Sequence, residues 1–112
     1  MQELIDKLRQ FTKERDWEQY HSPKNLAMAL SVEVAELVEH FQWLTQAQSR
    51  ELSFDKLDKI KDELGDVLIY TVNLSDKLGI DPIKAALEKI EKNRLNYPVD
   101  KAKGNARKYT ET

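Results

Sequence analysis

The sequence has no cysteine and only three glycines and three prolines among its 112 residues. Without thiols, a disulfide, a thiol nucleophile and a cysteine-based zinc site are all excluded. An apolar run of about 18 residues, the length of a transmembrane helix, is also absent. The first ten residues are amphipathic and mixed in charge, unlike a secretory signal peptide. We therefore expect an all-α protein of the cytoplasm, without a membrane partner.

The chain is slightly acidic, with 18 basic and 20 acidic residues, a formal net charge of -2 and a pI of about 5.7. This balance argues against nucleic acid as a partner. The length predicts one domain with a modest core, near the size at which association helps stability. We assign residues 1–98 to this domain and residues 99–112 to a basic tail. Two interpretations of the tail are open: a disordered segment, or an arm that brings positive charge to a neighbouring subunit or to a phosphate.

Lysine and arginine are missing from the stretch between Lys24 and Arg50. Apolar residues recur there every three or four positions, which predicts a helix from Leu26 to Leu44 with one face in a core. Glu33 and Glu36 lie about 60° apart at the edge of that face. Like charges at this spacing repel, so a group outside the helix is expected to neutralise them.

A second stretch, from Asp62 to Asp76, also lacks lysine and arginine. Its helical pattern places Glu63, Asp66, Tyr70 and Asn73 on one strip beside an apolar side. If the two helices pack antiparallel, the two carboxylate pairs converge. Four oxygen ligands without a thiol suit Mg²⁺ or Mn²⁺ better than Zn²⁺.

The spacing of such a pair is weak evidence by itself. Glu88 and Glu91 have the same spacing, but Lys84, Lys89 and Lys92 surround them. This third pair is typical of a solvated helix face. The metal prediction therefore depends on the absence of basic residues around the first two pairs.

Capping residues and apolar spacing predict four helices joined by short connections. The first helix covers about residues 2–15. The second, third and fourth helices are expected to start at Ser22-Pro23, Ser53 and Asp81-Pro82. The third is expected to end at about Leu78, before Gly79, and the fourth at about Leu95. Residues 45–52 are expected to form a polar loop.

The connection after the first helix is rich in aromatic residues, with Trp17, Tyr20 and His21 close together. Two interpretations are open. The rings can close one end of the core, or they can form a lid or stacking wall over the acidic cleft, since aromatic faces bind planar rings.

Five segments carry a resemblance to a known family. They are ERDWEQYHSPKNL (14–26), SVEVAELVEHFQW (31–43), KDELGDVLIY (61–70), KNRLNYP (92–98) and RKYTE (107–111). On these segments the chain resembles the MazG-like all-α nucleotide pyrophosphohydrolases, and among them most closely the dCTP pyrophosphatases.

The resemblance implies a four-helix MazG-like bundle that associates into homodimers or homotetramers, with sites at subunit contacts. It implies Mg²⁺ as the cofactor and the hydrolysis of a nucleoside triphosphate to a monophosphate and diphosphate. The substrate implied is dCTP with its 5-modified forms, in sanitation of the nucleotide pool. The implied metal ligands are Glu33, Glu36, Glu63 and Asp66, and the implied substrate contacts are Trp17, His21, Trp43, Tyr70, Asn93 and Arg94.

A carboxylate not fully engaged by metal could accept the proton of the attacking water. Glu36 is the first candidate for this catalytic role and Glu39 the second.

Three alternatives compete with this function. A pyrophosphohydrolase of broad or different nucleotide specificity would share the same acidic helices. A di-iron bundle needs two Glu-x-x-His motifs, and neither histidine follows a glutamate by three residues. A non-enzymatic helical oligomerisation module explains the apolar stripes but does not explain the two acidic pairs without lysine or arginine beside them.

Overall fold

The computed structural model describes residues 1–106, which contain six α-helices and one short 3₁₀ helix and no strand. The predicted all-α class is confirmed. Within these residues, no helix combines the length and apolarity needed to cross a membrane. In chain order the elements are α1 (Gln2–Glu14), the 3₁₀ helix (Glu18–Tyr20), α2 (Pro23–Glu39), α3 (Gln46–Ser49), α4 (Phe54–Lys77), α5 (Pro82–Asn96) and α6 (Val99–Ala102).

The chain divides into two compact units, Met1–Ile80 and a second that begins at Asp81. In the first unit, α4 packs along α2 and also contacts α1. The second unit contains α5 and α6. All four predicted long helices are present as α1, α2, α4 and α5, but only three of them belong to the first unit.

Three predicted helix starts are confirmed by side-chain caps. The hydroxyls of Ser22 and Ser53 each accept a hydrogen bond from the backbone amide three residues on, at 3.1 and 3.2 Å. Asp81 Oδ1 accepts two backbone amides, at 3.0 and 3.1 Å. Gly79 has a φ of 68° after the end of α4, a left-handed conformation that favours glycine. These caps satisfy amides that a helix start leaves without partners.

The second helix is shorter than predicted, because α2 ends at Glu39. Backbone bonds spanning three residues tighten the chain there, from the amide of His40 to the carbonyl of Leu37 at 3.2 Å and onward through Phe41. Thr45 then has an extended backbone and caps α3 in a capping box with Gln48, so one continuous helix through Leu44 is wrong. This capping box also places one helical turn inside the predicted polar loop.

The core of the first unit is small. In the described part of the chain, the buried apolar side chains are Leu26, Ile60 and Val72. Four of the apolar residues whose helical spacing predicts a core side of α4 remain about half exposed, because α2 packs against the strip that carries Glu63. They are Leu57, Leu64, Leu68 and Leu78.

The predicted basic tail is helical at its start, where α6 forms a single turn. Lys101 and Lys103 in this segment are exposed. Arg107 and Lys108, and with them the 107–111 segment, lie outside the described residues.

Candidate metal and nucleotide site

Three carboxylates from two helices meet at the seam between α2 and α4. Glu33 and Glu36 lie one turn apart on α2, and Glu63 lies on α4. One oxygen of each lies within 4.8 Å of one oxygen of the other two. The packing of α2 on α4 thus brings together three members of the predicted quartet.

Burial leaves two oxygens of this cluster without partners. Glu63 is only 8% exposed and Glu33 is half-buried. Within the described residues, Glu33 Oε2 and Glu63 Oε1 are buried and accept no hydrogen bond. Because an unpaired buried carboxylate oxygen is costly, these two atoms indicate that a group from outside the chain belongs here.

The pKa values of the cluster also favour a bound group from outside the chain. A hydrogen bond to Glu36, burial and the charges of Glu36, Glu33 and Asp66 raise the pKa of Glu63 to about 7. Burial, followed by the charges of Glu36 and Asp66, raises the pKa of Glu33 above its ordinary value. A bound cation would replace this repulsion with attraction.

The donor set fits a hard divalent cation, since it offers carboxylate oxygens and neither sulfur nor imidazole. Glu33, Glu36 and Glu63 could hold the ion. Asp66 is not one of the three converging ligands, although its charge acts on Glu33 and Glu63. The same carboxylate lines the neighbouring cavity, so Asp66 lies between the acidic cluster and that cavity.

An aromatic cavity of about 250 Å³ adjoins Asp66 between α1, the connection after it and α4. This volume is below the range typical of whole drug-sized ligands, so it suits a single ring system. Phe11 and Trp17 meet edge to face, with ring centroids 5.8 Å apart. The lining residues are Leu8, Phe11, Thr12, Trp17, His21, Asp66, Ile69, Tyr70 and Asn73.

Three of these residues form a wall between two hollows. Trp17, His21 and Tyr70 also line a second, more open hollow of about 350 Å³ that extends toward α2. Asn25 lies in that second hollow, and its Nδ2 donates a hydrogen bond to the Tyr20 carbonyl at 3.1 Å. Burial and the charge of Lys77 lower the pKa of His21, which favours a neutral imidazole in the wall.

The connection that carries Trp17 and His21 is held in place by the end of α4. The guanidinium of Arg9 donates to both carboxylate oxygens of Asp76, at 2.9 and 2.6 Å. Lys77 Nζ donates to Glu18 at 3.3 Å. Both ion pairs join segments distant in sequence, one from α1 and one from the connection, and the two interpretations of the linker stay open.

Two predicted site residues of the first unit are not part of this arrangement. Trp43 is 87% exposed and does not line the cavity. Glu39, the last residue of α2, is exposed and outside the three-carboxylate cluster. Asn93 and Arg94 belong to the second unit. Their roles stay predictions.

Sequence reasoning did not assign Phe11, Thr12 or Asn73 to the site. Phe11 is identified from its spacing only as an apolar residue of the first helix. Thr12 offers no pattern of its own, although it is 8% exposed in the structure. Asn73 lies on the same helical strip as Glu63 and Asp66, and this position in the sequence could have identified it as a site residue.

Comparisons with known proteins assign the chain to a family. The family model described as "MazG-like family" matches residues 28–112. The chain belongs to the MazG-like family. Relatives of this MazG-like chain include dCTP pyrophosphatase 1 from Homo sapiens, 43% identical over 104 residues, and from Rattus norvegicus, 42% identical over 104 residues. Each alignment covers 91% of this chain and 61% of the relative, so the chain spans about three fifths of their length.

A solved structure is also similar to the MazG-like chain. A pyrophosphatase from Archaeoglobus fulgidus, known from a crystal structure, superimposes with a TM-score of 0.75 at 47% identity. The superposition covers 88% of this chain and 92% of that one. The family match begins inside α2, after Trp17 and His21, and includes the carboxylates of both acidic helices and the cavity residue Tyr70.

Proposed function

We propose that this MazG-like chain is a metal-dependent nucleoside triphosphate pyrophosphohydrolase that converts dCTP and 5-substituted dCTP to the monophosphate and diphosphate. The observation that carries the proposal is the meeting of three carboxylates, two with unpartnered buried oxygens, beside an aromatic cavity of base size. The names of the relatives, dCTP pyrophosphatase 1 and a pyrophosphatase, support the same chemistry. Sanitation of the cytoplasmic nucleotide pool is the role that this reaction would serve.

Mg²⁺ or Mn²⁺ is the proposed cofactor, held by Glu33, Glu36 and Glu63 with Asp66 beside them. Such an ion would offset triphosphate charge and lower the pKa of a bound water. Side chains of the protein would supply the proton acceptor and the surface that holds the base. Glu36 is the exposed member of the cluster and is proposed to take the proton of the attacking water, with Glu39 as the second candidate. Flat faces of Trp17 and Tyr70 would hold the base away from water.

Calorimetric titration with Mg²⁺, combined with diphosphate release from a panel of nucleoside triphosphates, tests the proposal. Wild type should bind the ion stoichiometrically and favour dCTP. Glu63→Gln removes one ligand charge, so metal affinity and turnover should both fall by orders of magnitude while the helical circular dichroism signal persists. Glu88→Gln is the matched control. Glu88 is three residues from Glu91, as Glu63 is from Asp66, but Glu88 is exposed and flanked by lysines. Wild-type metal binding and turnover in Glu63→Gln would refute the acidic cluster as the metal site.

The panel also separates the competing functions. Equal rates on every triphosphate would indicate a pyrophosphohydrolase of broad specificity. No stoichiometric metal binding and no turnover would favour a non-enzymatic oligomerisation module.

We also propose that the chain forms a homodimer or homotetramer. Phe54, Leu57, Leu64 and Leu68 leave an exposed apolar side on α4, and three of them line an open groove of about 410 Å³ together with Ile60. Exposed apolar patches of this kind mark association surfaces. Trp43, Asn93 and Arg94 are proposed to contact the nucleotide once such an assembly completes the pocket.

A further inference from the structure

One residue beside the aromatic wall has a backbone conformation that side chains rarely adopt. Asp16, which precedes Trp17, has a φ of 54°. In residues 1–106 the other positive φ angles belong to two glycines, Gly79 and Gly104. Aspartate tolerates this left-handed region better than most residues but less well than glycine. Such a conformation persists only where the surrounding structure requires it.

Two backbone hydrogen bonds hold Asp16 in this conformation. Its amide donates to the Lys13 carbonyl at 3.1 Å, and the amide of Trp17 donates to the Thr12 carbonyl at 3.1 Å. This pair of bonds is a common helix end, in which a left-handed residue reverses the direction of the chain. The end of α4 has an equivalent pair of bonds around Gly79. The chain therefore uses glycine at one of these two helix ends and aspartate at the other.

The carboxylate of Asp16 contributes little to this turn. It is exposed, and in the described part of the chain its only hydrogen bond, donated by Gln19 Nε2, is long at 3.5 Å. The same nitrogen donates to the Asp16 backbone carbonyl at 3.0 Å, an acceptor that any residue at this position would offer. The backbone conformation, and not the charge, is therefore what Asp16 supplies.

The turn determines where the Trp17 indole lies. The indole follows the left-handed residue directly and meets the Phe11 ring edge to face, with centroids 5.8 Å apart. The Arg15 guanidinium lies over the same ring, 3.6 Å from its centre. Trp17 thereby lines both hollows together with Tyr70. A right-handed backbone at Asp16 would lose the two closing bonds and turn the indole away from Phe11.

We infer that Asp16 is a positioning residue, whose left-handed backbone places Trp17 against Phe11 and so forms the wall of the base cavity before a ligand arrives. This inference rests on the proposed function, in which Trp17 holds the base, and adds the residue that orients it. A pre-formed wall reduces the entropy that a ligand loses in ordering the connection. A weaker turn should lower the apparent affinity for nucleotide in proportion to the molecules that lack the wall.

Asp16→Gly and Asp16→Ala test this role, because both remove the carboxylate and they differ by one methyl group. Glycine adopts a positive φ freely, whereas alanine is destabilising there. The KM for dCTP should stay near wild type in Asp16→Gly and be up to about 10-fold higher in Asp16→Ala. The kcat values should be nearly equal, since saturating nucleotide restores the wall. A role for the carboxylate predicts instead that the two variants behave alike.

Trp17 fluorescence reports on the same turn without turnover. In a Trp43→Phe background, Trp17 is the one remaining tryptophan, so the emission of the ligand-free protein comes from the wall. Relative to Asp16→Gly, Asp16→Ala should emit at longer wavelength and be quenched more strongly by acrylamide, because the indole leaves Phe11 for water. Far-UV circular dichroism at the same temperature checks that both variants are folded.

The same pair of substitutions at Asp6 is the matched control. Asp6 is exposed within α1, where the backbone is helical and alanine is favoured over glycine. In thermal unfolding, Asp6→Gly should therefore be less stable than Asp6→Ala, the reverse of the order expected at Asp16. Neither control should change the KM or the emission of Trp17.

The two readouts separate this inference from the proposed function. A Trp17 shift confined to Asp16→Ala, in a protein that hydrolyses no triphosphate, would keep the positioning role and refute the enzyme. Equal KM values in Asp16→Gly and Asp16→Ala, in a protein that hydrolyses dCTP, would keep the enzyme and overturn the inference. A loss of kcat without a change in KM would indicate general destabilisation and would also overturn it. Neither hydrolysis nor a difference in Trp17 emission would refute both.

Discussion

Glu33 and Glu63 lie where their surroundings make ionisation of a carboxyl less favourable than in water. Their pKa values are raised by burial, by hydrogen bonding within the cluster and by the neighbouring carboxylates. A folded-state pKa above the unfolded value, about 4.3 for glutamate, means that the folded chain binds protons more tightly over that interval. Stability is therefore linked to pH through these residues.

The expected outcome is a metal-free protein that loses stability as pH rises. The contribution of Glu63 is most favourable below about pH 4.3, where both states are protonated. It declines as pH rises toward the folded pKa of about 7 and is constant above it. Thermal unfolding in a chelating buffer between pH 5 and pH 8 should show this decline, and Glu63→Gln should weaken it.

The comparison of wild type with Glu63→Gln isolates the cluster. The lowered pKa of His21 acts in the opposite direction, since a neutral buried imidazole is destabilised as pH falls below its unfolded pKa. His21 is present in both proteins, so its contribution cancels. Parallel pH profiles for the two proteins would show that Glu63 does not carry the shifted proton.

At this scale the sequence predicts the cluster better than the cavity. The acidic residues are recognisable because the stretches between Lys24 and Arg50 and from Asp62 to Asp76 contain no lysine or arginine, which the sequence alone shows. Thr12 and Asn73 become site residues only through the approach of α1 to α4. The Arg9 to Asp76 ion pair joins these two helices, but its residues are far apart in sequence and no local pattern encodes their meeting.

At the scale of secondary structure, α2 and α4 each begin with a serine whose hydroxyl accepts a backbone amide. Both helices carry site carboxylates, so their starts fix the register of the seam. Ser22→Ala or Ser53→Ala should each destabilise the protein by about 1 kcal/mol. Chemical unfolding followed by circular dichroism measures this loss.

Ser31→Ala supplies the control for the cap prediction. Ser31 lies inside α2, where its hydroxyl donates to the Met28 carbonyl, and alanine is the better helix former there. Its effect should be neutral or stabilising. Equal destabilisation by all three substitutions would mean that serine loss, and not cap loss, is being measured.

The helix starts were predictable because capping uses residues adjacent in sequence. The end of α2 was not, since the apolar period continues through Phe41 and Leu44 after the helix has stopped. There the capping box of Thr45 and Gln48 starts a new helix, so the regular spacing of apolar residues does not correspond to one continuous helix. The half-exposed Leu57 and Leu64 differ from expectation for another reason, because α4 turns its carboxylate strip toward α2.

At the scale of the whole molecule, few apolar side chains are fully buried and many large ones are exposed. Wild type should therefore sediment above the 13.1 kDa of one chain. Leu57→Glu places a charge in the exposed apolar groove of α4, where association would have to bury it. Analytical ultracentrifugation at micromolar protein should show smaller species for this variant.

Lys7→Gln makes the same change in net charge on an exposed position of α1 and should leave sedimentation unchanged. Trp43 provides a second readout, because an 87% exposed indole shifts its emission to shorter wavelength when it is covered. A wild-type protein that sediments as a single chain with full turnover would exclude a site shared between subunits.

Because α2 and α4 meet through carboxylates, a divalent cation between them would act as a removable cross-link. Binding to the folded chain alone adds stability that grows with the logarithm of free metal concentration. Metal-depleted protein would open more often along this seam and present more of its backbone to proteases. Metal supply would then affect the lifetime of the folded protein as well as the occupancy of the proposed metal site.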